Sequence, residues 1–352
     1  MKKTHVGIVF GGKSSEHQIS LLSAKNIIEA IDPKIFDLSL IGVDSKGVWR
    51  LYDQQHYLAY ADDPNKISLV QSEKILAFMP TENQVTIIDT QTQEPIRTPD
   101  VIFPIIHGAH GEDGTLQGFF EILNIPYVGS KVLSSAICMD KDIAKKLLRD
   151  AGIKVAPFVT LTNAKETVKF TELEKSLGAC LFIKPANEGS SVGVSKATDQ
   201  QSLDAAIKLA FSFDHKVIIE TAINGKEVEC AVLGSTLAPK ASVCGEVVSQ
   251  ADFYSYEAKY IDNRSSTIIP AHIDEHIQEK IGQAAIQAYQ TLGCTGLARV
   301  DFFLTTDNEL ILNEVNTLPG FTNISMYPKL WEKSGINYSD LITYLINQAI
   351  TN

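Results

Sequence analysis

Residues 6–43 read VGIVFGGKSSEHQISLLSAKNIIEAIDPKIFDLSLIGV, and this stretch decides the class of the fold. A short apolar run at 6–10 ends in two glycines, apolar positions at helical spacing follow up to Pro33, and a second apolar run fills 36–43. A strand, a helix and a strand in succession predict a parallel pair joined by a crossover helix. We therefore expect an α/β fold with an open parallel sheet, and ligand-binding residues just after residue 10, because ligands of such sheets lie at the carboxyl ends of the strands.

The remainder of the chain continues this alternation. The 352 residues suffice for two or three domains. Another apolar run at 101–106 leads into a glycine-rich loop and is expected to join the first sheet. Residues 51–99 are polar without a clear period, and we expect an irregular excursion from that sheet.

Composition excludes several classes of function. The net charge of −11 disfavours nucleic acid and anionic membranes as partners, because both require a basic surface. The five cysteines are far apart and contain no C-x-x-C pair, so free thiols in a reducing compartment are expected. The first 13 residues lack the apolar core of a signal peptide, and no apolar run reaches the ~18 residues of a membrane span. We expect a cytoplasmic protein.

A second informative stretch predicts a β-hairpin: LARVDFFL at 297–304, TTDN at 305–308 and ELILNEVN at 309–316. Pairing symmetric about residues 307–308 places Asp301 opposite Glu314 and Arg299 opposite Asn316, with all four on one face. Val300, Phe302, Asn313 and Val315 would face the other way.

Two carboxylates directly opposite each other repel, so this face requires a cation. Oxygen ligands from Asp, Glu and Asn suit Mg²⁺, which typically also binds substrate phosphates. The hairpin therefore predicts a magnesium–nucleotide site, in which Arg299 could offset charge on a transferred group. The alternative is a surface hairpin with a salt bridge from Arg299 to Asp301 or Glu314.

A glycine- and serine-rich loop at 184–193 follows a predicted strand and can close over a phosphate. Lys184 at its start and Lys141 upstream supply positive charge, and Ser191 adds a hydrogen-bond donor.

Residues 7–14 match the P-loop pattern G-x-x-x-x-G-K-S. In a true P-loop the middle residues follow a strand, whereas here they form one, so we read this match as coincidental.

Together these segments resemble the D-alanine–D-alanine ligases of the ATP-grasp superfamily. The resemblance rests on VFGGKSSEH at 9–17, HGAHGEDG at 107–114, the loop at 184–193, EAKY at 257–260, ARVD at 298–301 and NEVNTLPGFT at 313–322. It implies three domains at 1–125, 126–222 and 223–352, the last two being mixed α+β lobes that hold ATP. Residues 249–266 would form a lid.

The resemblance also implies roles at the substrate end of the site. Glu16 would bind the ammonium of a first D-alanine, and Ser190 and Tyr260 would complete a hydrogen-bonded link to it. His107 is a further candidate substrate contact. The N–H of Gly320 would stabilise the oxyanion together with Arg299. Ser325 and Met326 would contact the second substrate.

At the nucleotide end, the implied phosphate ligands are Lys141, Lys184 and Lys259. The adenine and ribose contacts would be Glu220, Ile223 and Glu227. Two Mg²⁺ ions, replaceable by Mn²⁺, would be held by Asp301, Glu314 and Asn316.

The implied reaction has two steps. The carboxylate of one D-alanine attacks the γ-phosphate of ATP, and the amine of a second D-alanine then attacks the acyl phosphate to give the dipeptide used in peptidoglycan synthesis. Similar enzymes that make the D-lactate ester carry a histidine where this chain has Tyr260, so we expect the dipeptide. Relatives also suggest a homodimer. Two other hypotheses remain open, a different ATP-grasp carboxylate–amine ligase and a nucleotide-binding sensor without turnover.

Overall fold

The computed structural model describes residues 2–82, 85–249 and 265–351. Its helices are α1 His17–Ala30, α2 Thr115–Ile122, α3 Val132–Met139, α4 Lys141–Asp150, α5 Phe170–Leu177, α6 Gln200–Ala210, α7 Glu275–Thr291, α8 Met326–Lys333 and α9 Tyr338–Thr351. Its strands are β1 Thr4–Gly11, β2 Phe36–Val43, β3 Trp49–Tyr52, β4 Leu58–Ala59, β5 Ser68–Leu69, β6 Leu76–Pro80, β7 Val85–Asp89, β8 Pro95–Ile96, β9 Val101–Pro104, β10 Phe158–Leu161, β11 Leu181–Pro185, β12 Ser195–Ala197, β13 Val217–Thr221, β14 Lys226–Gly234, β15 Lys240–Ser249, β16 Ser265–Ile268, β17 Gly296–Leu304 and β18 Leu310–Asn316.

The first sheet has the order β3-β2-β1-β9, with β2, β1 and β9 parallel and β3 antiparallel at the edge. This confirms the predicted parallel sheet. The P-loop match is indeed coincidental, because residues 7–10 lie inside β1 and α1 begins only at His17. The carboxyl ends of β1 and β9 are adjacent, so the loops that follow them, at 12–16 and 105–114, meet at one edge of the sheet.

The expectation that residues 51–99 are irregular was wrong. They form two small antiparallel sheets, β4-β5 and β6-β7-β8. Leu76, Val85 and Ile87 of the second sheet are buried against a cluster that includes Trp49 and Phe119. Strands of two to five residues are too short to show a period, and packing on the main domain stabilises them.

Two antiparallel sheets form the rest of the chain. The sheet β10-β13-β11-β12 is covered by α5 and α6, and the sheet β16-β15-β14-β17-β18 is covered on one face by α7. The other face of the second sheet joins the core of the first domain through α8 and α9. Helices α3 and α4 pack in the core beneath β17 and β18. The domain bounds expected from the sequence remain a prediction.

The β17–β18 hairpin has the predicted partners: Asp301 lies opposite Glu314 and Arg299 opposite Asn316. Pairing symmetric about residues 307–308 holds for only part of the hairpin. Nearer the turn the pairing is offset by one residue, with Phe302 opposite Leu312, and a bulge restores the register. The expectation that Asn313 faces away from Glu314 was therefore wrong. Asn313 lines a cavity beside Glu314.

Candidate active site

A cavity of about 450 Å³ lies between the two antiparallel sheets, close to the edge where the loops of the first domain meet. Sequence-predicted residues from both sheets line it: Lys141, Lys184, Ser190, Ser191, Glu220, Ile223, Glu227, Asp301 and Glu314. The structure therefore brings the glycine- and serine-rich loop, two of the lysines and the hairpin carboxylates to one space, although the hairpin lies more than 100 residues after the loop in sequence.

Glu16 joins the first domain to this cavity. Its carboxylate is buried, and Ser190 Oγ donates a hydrogen bond to it from the loop at 184–193. Ser190 and Ser191 adopt positive φ angles of 50° and 60°, a conformation that non-glycine residues rarely adopt. A Cβ on Gly189 would lie 3.2 Å from Glu16, so this loop lies tightly against the carboxylate. The structure thus contains the Ser190–Glu16 half of the implied link, while Tyr260 lies outside the described residues.

His107 ties three segments together beneath Glu16. Its Nδ1 lies 3.1 Å from the Leu318 carbonyl and its Nε2 3.1 Å from Ser23 Oγ. A carbonyl can only accept, so Nδ1 carries the proton and Nε2 accepts from Ser23. Burial lowers the pKa of His107 and favours this neutral form, against the opposing effect of Glu16. His107 therefore holds the bend at 317–321 against α1; its direct contact with substrate stays a prediction.

Glu112 is a site residue that the sequence analysis did not predict. Its Oε1 accepts a hydrogen bond of 2.7 Å from the Gly108 N–H, in the same loop as His107. Burial, together with the nearby charge of Glu16, raises the pKa of Glu112 to about 8. Only the crowding of carboxyl groups from separate loops marks this residue, and no local pattern could have found it.

We expect Glu112→Gln to stabilise the ligand-free protein at alkaline pH. Folding raises the pKa of Glu112, so the neutral carboxyl contributes to the free energy of unfolding. This contribution is complete below the unfolded pKa and is lost as the pH rises toward the folded pKa of about 8. Glutamine can still accept from Gly108 but does not ionise. The melting temperature of the variant should exceed that of the wild type by about 2–4 °C at pH 8.5 and match it at pH 4.

Differential scanning fluorimetry in EDTA checks this, with the exposed Glu94→Gln as control. A constant difference between variant and wild type across this pH range would contradict the assigned pKa.

The lysines at the opposite side of the cavity are engaged with neighbouring groups. Lys141 Nζ donates to the Glu188 carbonyl at 2.6 Å. Lys184 pairs with Glu220 Oε1, and Lys145, which sequence reasoning did not single out, lies 3.0 Å from Glu220 Oε2. Burial alone would raise the pKa of Glu220, but Lys145 and Lys184 outweigh it and lower the pKa. Burial also lowers the pKa values of Lys141 and Lys145.

Arg299 organises the hairpin end of the cavity. Its Nε and Nη2 each donate to Asp301 at 2.7 Å, and Nε also lies 2.9 Å from Glu229 Oε2 on β14. Asn316 Nδ2 donates to Asp301 at 3.1 Å. The salt bridge that defined the alternative interpretation is therefore present, but it does not lie on a solvated surface: Asp301 is buried and lines the cavity, and the Arg299 side chain is only 15% exposed.

The donor set fits magnesium. Asp301, Glu314 and Asn316 offer only oxygen ligands, and Asp301 and Glu314 line the same cavity as the lysines. Within residues 2–82, 85–249 and 265–351, no group of three or more His, Cys, Asp or Glu side chains is arranged to hold a metal. The predicted set contains only two such residues and an amide, so bound phosphate oxygens would have to complete the coordination.

The predicted acceptor end lies in the bend after β18. A Cβ on Gly320 would approach Ser325 Oγ to 2.9 Å, so these two residues are neighbours. Ser325 Oγ accepts from the Thr322 N–H at 3.0 Å and precedes α8. Met326 is buried, and its sulfur lies close to Gly245 on β15. Lys259 and most of the predicted lid, residues 250–264, lie outside the described residues.

Across the part of the chain that the structure describes, no helix is both long and apolar enough to cross a membrane.

Comparison with known proteins finds similarity to one family along most of the chain. The family profile of the D-ala D-ala ligase N-terminus matches residues 5–130, and that of the D-ala D-ala ligase C-terminus matches residues 147–347. The chain is 56% identical to D-alanine–D-alanine ligase A of Escherichia coli strain K12, covering 99% of this chain and 96% of that protein.

Two solved structures are similar throughout. The D-alanine-D-alanine ligase from Coxiella burnetii is 37% identical with a TM-score of 0.82, covering 99% of this chain and 96% of that one. The VanG D-Ala:D-Ser ligase from Enterococcus faecalis is 38% identical with a TM-score of 0.84, covering 99% and 100%. Two family profiles that together span most of the chain, and a relative more than half identical over its length, establish that the chain belongs to the D-alanine–D-alanine ligase family.

Proposed function

We propose that this enzyme uses ATP to join two molecules of D-alanine into D-alanyl-D-alanine, releasing ADP and phosphate. The observation that carries the proposal is the contact between Glu16 and Ser190, a residue that lines the cavity. It places a buried carboxylate, suited to an ammonium group, beside a loop suited to phosphate. An amino acid held by Glu16 would then have its own carboxylate directed toward a nucleotide in the cavity.

In the first step, the carboxylate of this D-alanine attacks the γ-phosphate and forms an acyl phosphate, which turns a poor electrophile into a reactive one. Lys141 and Lys184 would hold the phosphates, with Ser191 as an additional donor and Lys259 as a third cation. Asp301, Glu314 and Asn316 would hold two Mg²⁺ ions, or Mn²⁺ in their place, and the bound ions would neutralise charge on the phosphates.

In the second step, the amine of another D-alanine attacks the acyl phosphate. Arg299 and the Gly320 N–H would stabilise the oxyanion, and Ser325 and Met326 would contact the incoming amino acid. Tyr260 and Ser190 would close the link to Glu16 and exclude water from the intermediate. Glu220, Ile223 and Glu227 would receive the adenosine.

Three further features complete the proposal. The enzyme would act in the cytoplasm, as a homodimer, and its dipeptide would enter peptidoglycan synthesis. The acidic net charge and the absence of an apolar run long enough for a membrane span support the first. The resemblance to the family supports the other two.

Measuring ADP release with and without D-alanine tests this function. We expect release only with D-alanine, and D-alanyl-D-alanine as the product identified by mass spectrometry. Stimulation by a different amino acid alone would indicate another ATP-grasp ligase, and no release with any amino acid would indicate a nucleotide sensor.

The second substrate requires its own experiment, because one similar structure is a D-Ala:D-Ser ligase. Offering D-alanine with equimolar D-serine or D-lactate near neutral pH should yield D-alanyl-D-alanine as the main product. A mixed product that equals or exceeds the dipeptide would refute the assigned specificity while leaving the ligase chemistry intact.

A further inference from the structure

Lys145 lies on α4, one helical turn after Lys141, but it points into the protein rather than into the cavity. Its side chain is 1% exposed, and its ammonium lies 3.0 Å from Glu220 Oε2. Lys145 is absent from the residues that line the cavity, whereas Lys141, Lys184 and Glu220 are among them. Lysine is almost never fully buried unless it is paired, so its position requires a reason connected with Glu220.

Glu220 carries two cations on one buried carboxylate. The side chain is 5% exposed, Lys184 pairs with Oε1 and Lys145 with Oε2. One lysine would neutralise one carboxylate, so the second is in excess of what Glu220 alone requires. The two lysines also differ in access, because only Lys184 lines the cavity and can reach a ligand there.

The proposed function requires Lys184 to hold a nucleotide phosphate. Lys184 would then give up part or all of its contact with Glu220. A buried carboxylate that loses its only cation either becomes protonated or destabilises the site. Lys145 would prevent both outcomes by staying beside Glu220 when Lys184 turns to the phosphate.

We propose that Lys145 is a positioning residue, which keeps Glu220 ionised and in place while Lys184 exchanges Glu220 for a nucleotide phosphate. This inference rests on the proposed function, since it requires ATP in the cavity. Lys145 itself never touches the nucleotide. It makes Lys184 available, and it preserves Glu220 as a hydrogen-bond acceptor for the nucleoside.

The test compares Lys145→Met with Lys146→Met in the full-length enzyme. Lys146 is the next residue on α4, is 48% exposed and pairs with Asp142, so it controls for loss of a lysine from this helix. We expect K145M to raise the KM for ATP about tenfold or more, and to change the KM for D-alanine and kcat by less than about threefold. K146M should stay within about twofold of the wild type in all three.

A second variant separates charge from packing. Lys145→Arg keeps a cation beside Glu220 and should bring the KM for ATP back to within about threefold of the wild type. A purely structural role predicts instead that kcat and both KM values worsen together in K145M. A KM for ATP in K145M within about twofold of the wild type would overturn the proposal.

If K145M does not fold, Glu220→Gln supplies the background. Without the carboxylate charge Lys145 has nothing to neutralise, so K145M/E220Q should have the same KM for ATP as E220Q. A further loss of ATP affinity in the double variant would overturn the proposal. Failure of the proposed function looks different, because the wild type itself would then not consume ATP with D-alanine.

Discussion

Replacing Glu314 with glutamine will lower kcat on the order of a thousandfold and leave the fold intact. Loss of several kcal/mol of charge stabilisation in the transition state has an effect of this size. Glu314 faces the cavity opposite Asp301. Its charge opposes the lowering of the Lys141 pKa by burial, and it adds to the effect of Asp301 and Glu229, which raise the pKa of Arg299. Glutamine has the same shape but is a weaker ligand for a hard cation, so the predicted metal cluster loses one of its two carboxylates.

The packing of the hairpin should not change in this variant, because neighbours of Glu314, and not Glu314 itself, pack against the core. Leu312 and Val315 are buried against the core beneath the hairpin, and neither changes. Circular dichroism and thermal melting should therefore match the wild type, while the Mg²⁺ concentration needed for half-maximal activity should rise.

The matched control is Glu309→Gln, on the same hairpin at its exposed turn. Glu309 pairs with Lys154 at 2.6 Å and lies on the surface, so we expect its kcat within about twofold of the wild type. Near-normal turnover of Glu314→Gln at the wild-type Mg²⁺ concentration would refute the metal role of this hairpin.

The second large effect is expected at Glu16. Glu16→Gln should raise the KM for the first D-alanine about a hundredfold, because a hydrogen-bonded charge pair in a buried site contributes about 2–3 kcal/mol. Glutamine can still accept the hydrogen bond from Ser190, so the loop at 184–193 should keep its position. The KM for ATP should change little.

Two comparisons make this prediction specific. Glu29→Gln removes an exposed carboxylate from α1, the helix that Glu16 precedes, and should have no effect on either KM. Ser190→Ala should raise the KM for D-alanine about tenfold, and combining it with Glu16→Gln should give less than the sum, because both act on one link. Initial rates fitted with separate constants for the two D-alanines measure these effects. An unchanged D-alanine KM in Glu16→Gln would exclude Glu16 as the ammonium site.

Much of the local structure followed from sequence patterns alone. The strand–helix–strand unit at the start of the chain was predicted, because its apolar periods differ clearly between strand and helix; β2 has the predicted bounds, and β1 extends beyond the predicted 6–10 at both ends. The partners in the β17–β18 hairpin were also predicted, although the bulge at Asn313 was not. A bulge depends on a local mismatch between turn length and strand pairing, which no period reveals.

Several parts of the candidate site had no local signal. Lys145 reads as one more charged residue on a helix, and its burial follows only from the packing of α4 above Glu220. Glu229 was not considered, yet it pairs with Arg299 from the neighbouring strand β14. The proximity of Glu16 and Ser190 was implied by the family resemblance and not by the residues themselves.

The sequence by itself determined which side chains share a face: the period of two along β17 and β18 places Asp301 and Glu314 together wherever the hairpin lies. The tertiary structure alone decided what that face meets. It brought Ser190 to Glu16 across 174 residues, and it placed two lysines on Glu220. The physical reason is that side-chain direction repeats within one element, whereas contacts between elements depend on how several buried faces pack at once.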